Sequence, residues 1–287
     1  MKLIRFGDPG SEKPGVLLND GTRLDASGFG SDYDQTFFGG DGLVRLAGWL
    51  KQHEASAPRV NSSVRLGPPV ANPAKIICFG LNYQSHATET DSKTPTEPVV
   101  FLKSSTSLCG PNDDCIIPRD STKLDYEVEL ALIVGKKASY VPKDRVWDHV
   151  AGYSVMNDYS ERNFQLERGG QWTKGKSCDT FAPLGPFVAT PDEIPNPAAL
   201  GMWLKVNGET RQKDNTANMI FDIPTMVSYI SQFITLLPGE VISTGTPSGV
   251  ALGMKPPVWL KAGDVVELGL DGLGSSRQKI VAWKPAR

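Results

Sequence analysis

From residue 75 onward the apolar residues come in short runs, among them KIICFG, PVVFLK, VELALIV, AGYSVMN and GEVISTG, separated by Gly, Pro, Asn and Asp. Runs this short, bounded by turn-forming residues, read as strands rather than helices. The 29 Gly and 22 Pro in 287 residues supply turns at a density that argues against an all-helical fold. Helical patterns do not alternate regularly with the runs, so the expected fold is mixed β with some α rather than a parallel βαβ array.

The first 70 residues read as a small N-terminal α/β module, and residues 71–287 as the main domain. In the module, Asn19, Asp20 and Gly21 form the turn of a hairpin between VLL and TRL. A helix follows over DGLVRLAGWLKQH, with Asp41 at its N-terminal cap and Leu43, Leu46, Ala47 and Leu50 on one face. The proline-rich stretch at 66–75 reads as a linker. A second helix is expected over IPTMVSYISQFITL, with Met226, Tyr229, Ile230 and Phe233 as its apolar stripe and Pro238-Gly239 as its stop. The glycine-rich GLDGLG near residue 272 is followed by no helix signal and reads as a turn, not a phosphate loop.

Thirty basic residues against 32 acidic ones leave a net charge of -2. No positive field draws such a chain to nucleic acid or to an anionic membrane, and a small-molecule partner fits better. The N-terminal residues lack the apolar core of a secretory signal and no apolar run reaches spanning length, so a cytoplasmic location is expected. Cys78, Cys109, Cys115 and Cys178 have no metal-ligand spacing and read as reduced core residues, although a lysine near Cys178 would tend to lower its pKa.

In DYEVELALIV, strand alternation puts Val128, Leu130 and Leu132 on one face and Glu127 and Glu129 on the other, with Ala131 and Ile133. Two glutamates on a half-exposed strand are a common surface pattern. Here their face continues into apolar residues, which points to burial, and buried unpaired carboxylates call for a cation. Asp158, directly after VAGYSVMN, stands at the mouth of another strand. Three oxygen ligands without His or Cys suit a hard ion, Mg²⁺ or Mn²⁺, more than zinc or an EF-hand calcium.

Of the three histidines, only His86 lies in a loop that looks dedicated, FGLNYQSHATET. Glu89, three residues on, is placed to orient its imidazole on one helical turn, though a surface helix would show the same HxxE spacing. Lys174 and Lys176 sit in a glycine-flanked segment, either a solvated loop or part of a site. A serine nucleophile has no GxSxG elbow to support it.

The strings GLNYQSHATE, DYEVELALIVG, GYSVMNDYSER, KGKSCDTFAPLGP and VISTGTPSGV, in that order, resemble the fumarylacetoacetate hydrolase family over residues 70–285. The N-terminal segment also looks like that of bacterial members that cleave 2,4-diketo-3-deoxy sugar acids, such as the rhamnonate and fuconate hydrolases, often labelled ureidoglycolate lyases. The resemblance implies a fumarylacetoacetase-like β-sandwich roll, a homodimer, and a lid formed by the segment after Asn82. It implies Glu127, Glu129 and Asp158 as metal ligands, His86 and Glu89 as the water-activating pair, and Lys176, not Lys174, as the catalytic lysine. Arg162, Gln165 and Thr246 match substrate contacts, and Lys103 a lysine close behind the metal waters. Ser248 and Asn163 are departures that remove no metal-binding or proton-transfer group. The implied reaction is metal-dependent hydrolysis of a 2,4-dioxo acid to pyruvate and a second carboxylic acid. Alternatives are decarboxylation of an oxaloacetate-like acid, isomerisation of a hydroxy-dienedioate, ureidoglycolate lysis, or a noncatalytic scaffold with a structural ion.

Overall fold

The short apolar runs become strands in the computed structural model, which describes residues 1–285. An eleven-stranded sheet runs in the order Arg59–Val60, Arg23–Asp25, Lys13–Leu17, Lys2–Phe6, Val188–Ala189, Val150–Asn157, Val128–Val134, Val241–Ser243, Ile76–Gly80 and Val99–Lys103, with Leu66–Gly67 paired to Lys2–Phe6 off this path. A five-stranded sheet, Glu209–Asn215, Gly201–Val206, Val265–Leu270, Gly274–Ala282 and Cys115–Ile117, packs against it.

The strand Val128–Val134 lies between two apolar layers and is buried along its whole length. Val128, Leu130 and Leu132 share a core with Met202, Leu204, Val266 and Leu268 of the five-stranded sheet. Ala131 and Ile133 point into a second core that holds Phe37, Leu46 and Leu50. Each buried aliphatic side chain contributes roughly 1.5–3 kcal/mol. Packing from both sides fixes the strand, and with it the residues at its start.

The hairpin around residues 19–21 forms as expected, with Leu17 opposite Arg23. The helix Gly42–His53 follows with Leu46 and Leu50 buried. Asp41 stands at its cap position but accepts from Arg45 Nε at 2.7 Å instead of from a helix N–H. Residues 66–75 are not an open linker. Gly67 and Leu66 pair with Arg5 and Phe6, and Val70 is fully buried, so the prolines bend the chain without releasing it from the sheet.

The helix expected to run to Pro238 ends at Ile230. Buried Ser231 stops it: its hydroxyl donates to Ser228 O and accepts from Val141 N, while its carbonyl accepts from Tyr140 N. A serine that bonds the neighbouring backbone competes with the helix in this way. Phe233 is consequently 68% exposed and lies outside the helix. The GLDGLG segment is the tight turn between Val265–Leu270 and Gly274–Ala282, with Gly272 and Gly274 both at positive φ. Among the described residues, no helix is long and apolar enough to cross a membrane.

Candidate metal and acid–base site

The strand pairing that places Val128 opposite Asn157 brings the acidic residues together. Asp158 N–H donates to Glu127 O at 2.9 Å, so the residue after one strand is tied to the residue before the other. One carboxylate oxygen from each of Glu127, Glu129 and Asp158 lies within 4.8 Å of the others, and all three residues are buried. In an octahedral shell with bonds near 2.1 Å, adjacent oxygens are about 3 Å apart and opposite ones about 4.2 Å. The trio needs little movement to share an ion of that kind, and its all-oxygen donor set suits a hard cation.

The chain's own cations surround the same carboxylates. Lys176 Nζ donates to Glu127 Oε2 at 2.6 Å and to Asp158 Oδ2 at 2.8 Å. Arg162 donates through Nη2 to Glu127 Oε1 at 2.5 Å, through Nε to Asp125 Oδ2 at 2.9 Å and through Nη1 to Gln165 Oε1 at 3.0 Å. Lys103 Nζ donates to Asp158 Oδ1 at 2.5 Å and to Tyr159 O at 3.0 Å. Four buried carboxylates, of Asp125, Glu127, Glu129 and Asp158, thus face three buried cations.

Glu129 is the carboxylate left without a cation of its own. Its Oε2 accepts from Ser243 Oγ at 2.5 Å and from Gly245 N–H at 2.9 Å. Burial, and then the charges of Asp158 and Glu127, push its pKa well above the usual carboxylate range. Burial acts on Glu127 in the same direction, but Lys176 and Arg162 outweigh it and hold that carboxyl below its ordinary value. Burial disfavours the Lys176 ammonium, yet Asp158 and Glu127 more than offset this and keep it charged. The trio therefore has one position where a positive charge is missing, and a divalent ion fits there.

Two glycines make this geometry possible. Gly245 has φ +96°, and a Cβ there would meet Asn82 Cβ at 2.8 Å, so the TGTP turn presents its N–H to Glu129 only with glycine. A Cβ on Gly175 would fall 2.4 Å from Gln165 N, so glycine lets the helical turn Thr173–Lys176 pack against the wide turn Asn163–Glu167. Lys176 is thereby buried, whereas Lys174 points away to Arg168 O on the surface.

His86 Nδ1 lies 2.9 Å from Glu89 Oε1 on the helix Gln84–Glu89. A cavity of about 270 Å³ is lined by His86, Glu89, Glu127, Glu129, Arg162, Gln165, Lys176 and Thr246, with Phe101 and Trp172 as apolar wall. Lys103 and Asp158 are absent from that lining, and Lys103 sits behind Asp158. The Thr246 hydroxyl donates to Val128 O and accepts from Gln212 Nε2, both at 2.9 Å. Cys178 gains no acidity: burial pushes its thiol up to about 11. His53 stacks on Trp49, away from the cavity.

Sequence reading passed over Asp125 and Gln212. The alternation that pairs Glu127 with Glu129 extends back to Asp125 and signals it. Gln212, fully buried, accepts from Val128 N–H at 3.0 Å, and no local pattern in RQKDN marks it.

The model of the fumarylacetoacetate (FAA) hydrolase C-terminal family matches residues 75–281. A candidate hydrolase of Burkholderia multivorans is 48% identical over 279 residues, covering 97% of this chain and 98% of the relative. The solved fumarylacetoacetate hydrolase of Exiguobacterium antarcticum superposes with TM-score 0.83 at 36% identity, over 99% of this chain and 100% of that one. Maleylpyruvate hydrolase of Sphingobium sp. SYK-6, solved with manganese (II) and pyruvate, superposes with TM-score 0.82 at 30% identity and the same coverage. Fold, motif order and whole-chain similarity agree that the chain belongs to the fumarylacetoacetate hydrolase family.

Proposed function

We propose that the chain hydrolyses a carbon–carbon bond of a 2,4-dioxo acid, an acylpyruvate or 2,4-diketo-3-deoxy sugar acid, to pyruvate and a second carboxylic acid. The observation that carries this reading is that the His86–Glu89 pair opens on the same cavity as Glu127, Glu129 and Lys176. A Mg²⁺ or Mn²⁺ ion held by Glu127, Glu129 and Asp158 would supply Lewis acidity toward a 2-oxo acid. Manganese and pyruvate bound to the Sphingobium relative support that choice.

His86, with Nδ1 held by Glu89, takes a proton through Nε2 from a water that attacks the 4-oxo carbon. The Lys176 ammonium stabilises the oxyanion that forms there. As the C3–C4 bond breaks, its electron pair passes to the pyruvate portion as an enolate, and the proton on His86 returns to C3. Gln165, braced by Arg162, and Thr246 orient the acid in the cavity.

The reading is tested by incubating metal-loaded protein with a panel of 2,4-dioxo acids, oxaloacetate, a hydroxy-dienedioate and ureidoglycolate, and identifying products by mass. Pyruvate together with a new carboxylic acid is the expected result. Turnover confined to carbon dioxide release, to isomerisation, or to glyoxylate and urea would assign a different reaction.

The raised pKa of Glu129 also gives metal binding a pH dependence. Its proton and the ion compete for one carboxylate, so Mn²⁺ affinity should rise with pH as that proton is lost, and binding should release it. Calorimetric titration at several pH values, in buffers of different ionisation enthalpy, checks this; an affinity that does not change with pH, or binding that releases no proton, contradicts it.

A further inference from the structure

Glu89 is held by more than its histidine. Its Oε1 faces His86 Nδ1 at 2.9 Å, and its Oε2 accepts from the backbone N–H of Gly249 at 2.8 Å. That donor begins a turn through residues 249–253, and the far end of the turn presses on the same carboxylate. A Cβ built on Gly253 would stand 2.5 Å from both Cδ and Oε2 of Glu89. Gly253 is not among the glycines at positive φ, so it is the space, not the backbone conformation, that requires glycine here.

The middle of the turn is pinned by a buried side chain. Asp125 Oδ1 accepts from Ala251 N–H at 2.7 Å and Oδ2 from Leu252 N–H at 3.1 Å. The same Oδ2 accepts from Arg162 Nε at 2.9 Å, and Arg162 reaches on to Glu127. One carboxylate thus joins the turn that seats Glu89 to the guanidinium that neutralises a residue of the acidic trio.

We infer that the 249–253 turn is a positioning element for the His86–Glu89 pair: Gly249 and Gly253 set where the Glu89 carboxylate lies, and Asp125 locks that turn to Arg162. The inference rests on the reading of His86 and Glu89 as the pair that takes the proton from water. Gly249, Gly253 and Asp125 act through other groups and are positioning residues, not catalytic ones.

A methyl at position 253 must open the 2.5 Å approach to at least the ordinary 3.4 Å contact, which displaces the carboxylate by about 1 Å. A shift of that size in a catalytic array costs about 100-fold in rate. The test is a double-mutant cycle on metal-loaded protein, measuring kcat, KM and Mn²⁺ affinity for the wild type, Gly253→Ala, Glu89→Ala and the double variant. Gly253→Ala should lower kcat about 100-fold, with KM and Mn²⁺ affinity nearly unchanged. In the Glu89→Ala background the same substitution should cost under about threefold, because the group it displaces is gone.

Equal losses in both backgrounds, or wild-type kcat in Gly253→Ala, would overturn the inference while leaving the acid–base pair in place. Wild-type kcat in Glu89→Ala would instead remove the acid–base reading, and this inference with it.

Discussion

His86→Ala should lower kcat on a 2,4-dioxo acid by about 10²- to 10⁴-fold, the range a positioned general base supplies, while Mn²⁺ and oxalate still bind. The separation follows from geometry. His86 shares the cavity with Glu127 and Glu129, but its ring nitrogen is engaged with Glu89, and the acidic trio is built without it. Oxalate resembles the enolate of pyruvate and needs the ion and its carboxylates, not the base. Loss of Mn²⁺ binding in His86→Ala would contradict this division of roles.

Glu129→Gln should weaken Mn²⁺ binding by more than about 100-fold, the upper end of what losing a partner of a metal ligand costs, in a chain that still folds. Glu129 is the informative position because its side-chain partners are the Ser243 hydroxyl and the Gly245 N–H, both of which a glutamine oxygen can still satisfy. Glu127 is different. Its carboxylate accepts from both Arg162 and Lys176, so Glu127→Ala leaves two buried cations short of a partner, at about 3–5 kcal/mol. Thermal unfolding of the metal-free variants separates the two cases: Glu129→Gln should match or exceed the wild type, and Glu127→Ala should fall well below it. Undiminished Mn²⁺ affinity in Glu129→Gln would remove this residue from the metal site.

Much of the acidic trio was legible in the sequence because strands have a period of two, and Ala131 and Ile133 beyond the glutamates betrayed a buried face. Asp158 was legible as the residue that follows an apolar strand. The His86–Glu89 spacing became meaningful only with the family strings around it, since HxxE alone fits any helix surface. What escaped depends on contacts remote in sequence. Gln212 reaches Thr246 and Val128 across the sandwich, and Ser231 ends its helix by accepting from Val141. Prolines at 66–75 looked like a boundary because local composition does not reveal that Leu66 and Gly67 pair with the first strand. The lone position of Glu129 among paired carboxylates likewise emerges only once Lys103, Arg162 and Lys176 converge.

The most direct test of a metal-dependent site at Glu127, Glu129 and Asp158 is the rate of pyruvate release from an acylpyruvate by chelator-treated protein, followed as Mn²⁺ is added back. Turnover should be absent without metal in a chain that remains folded, and should saturate at one ion per chain. Full turnover in the presence of excess chelator, or a Mn²⁺ titration that Glu129→Gln leaves unchanged, would contradict the account.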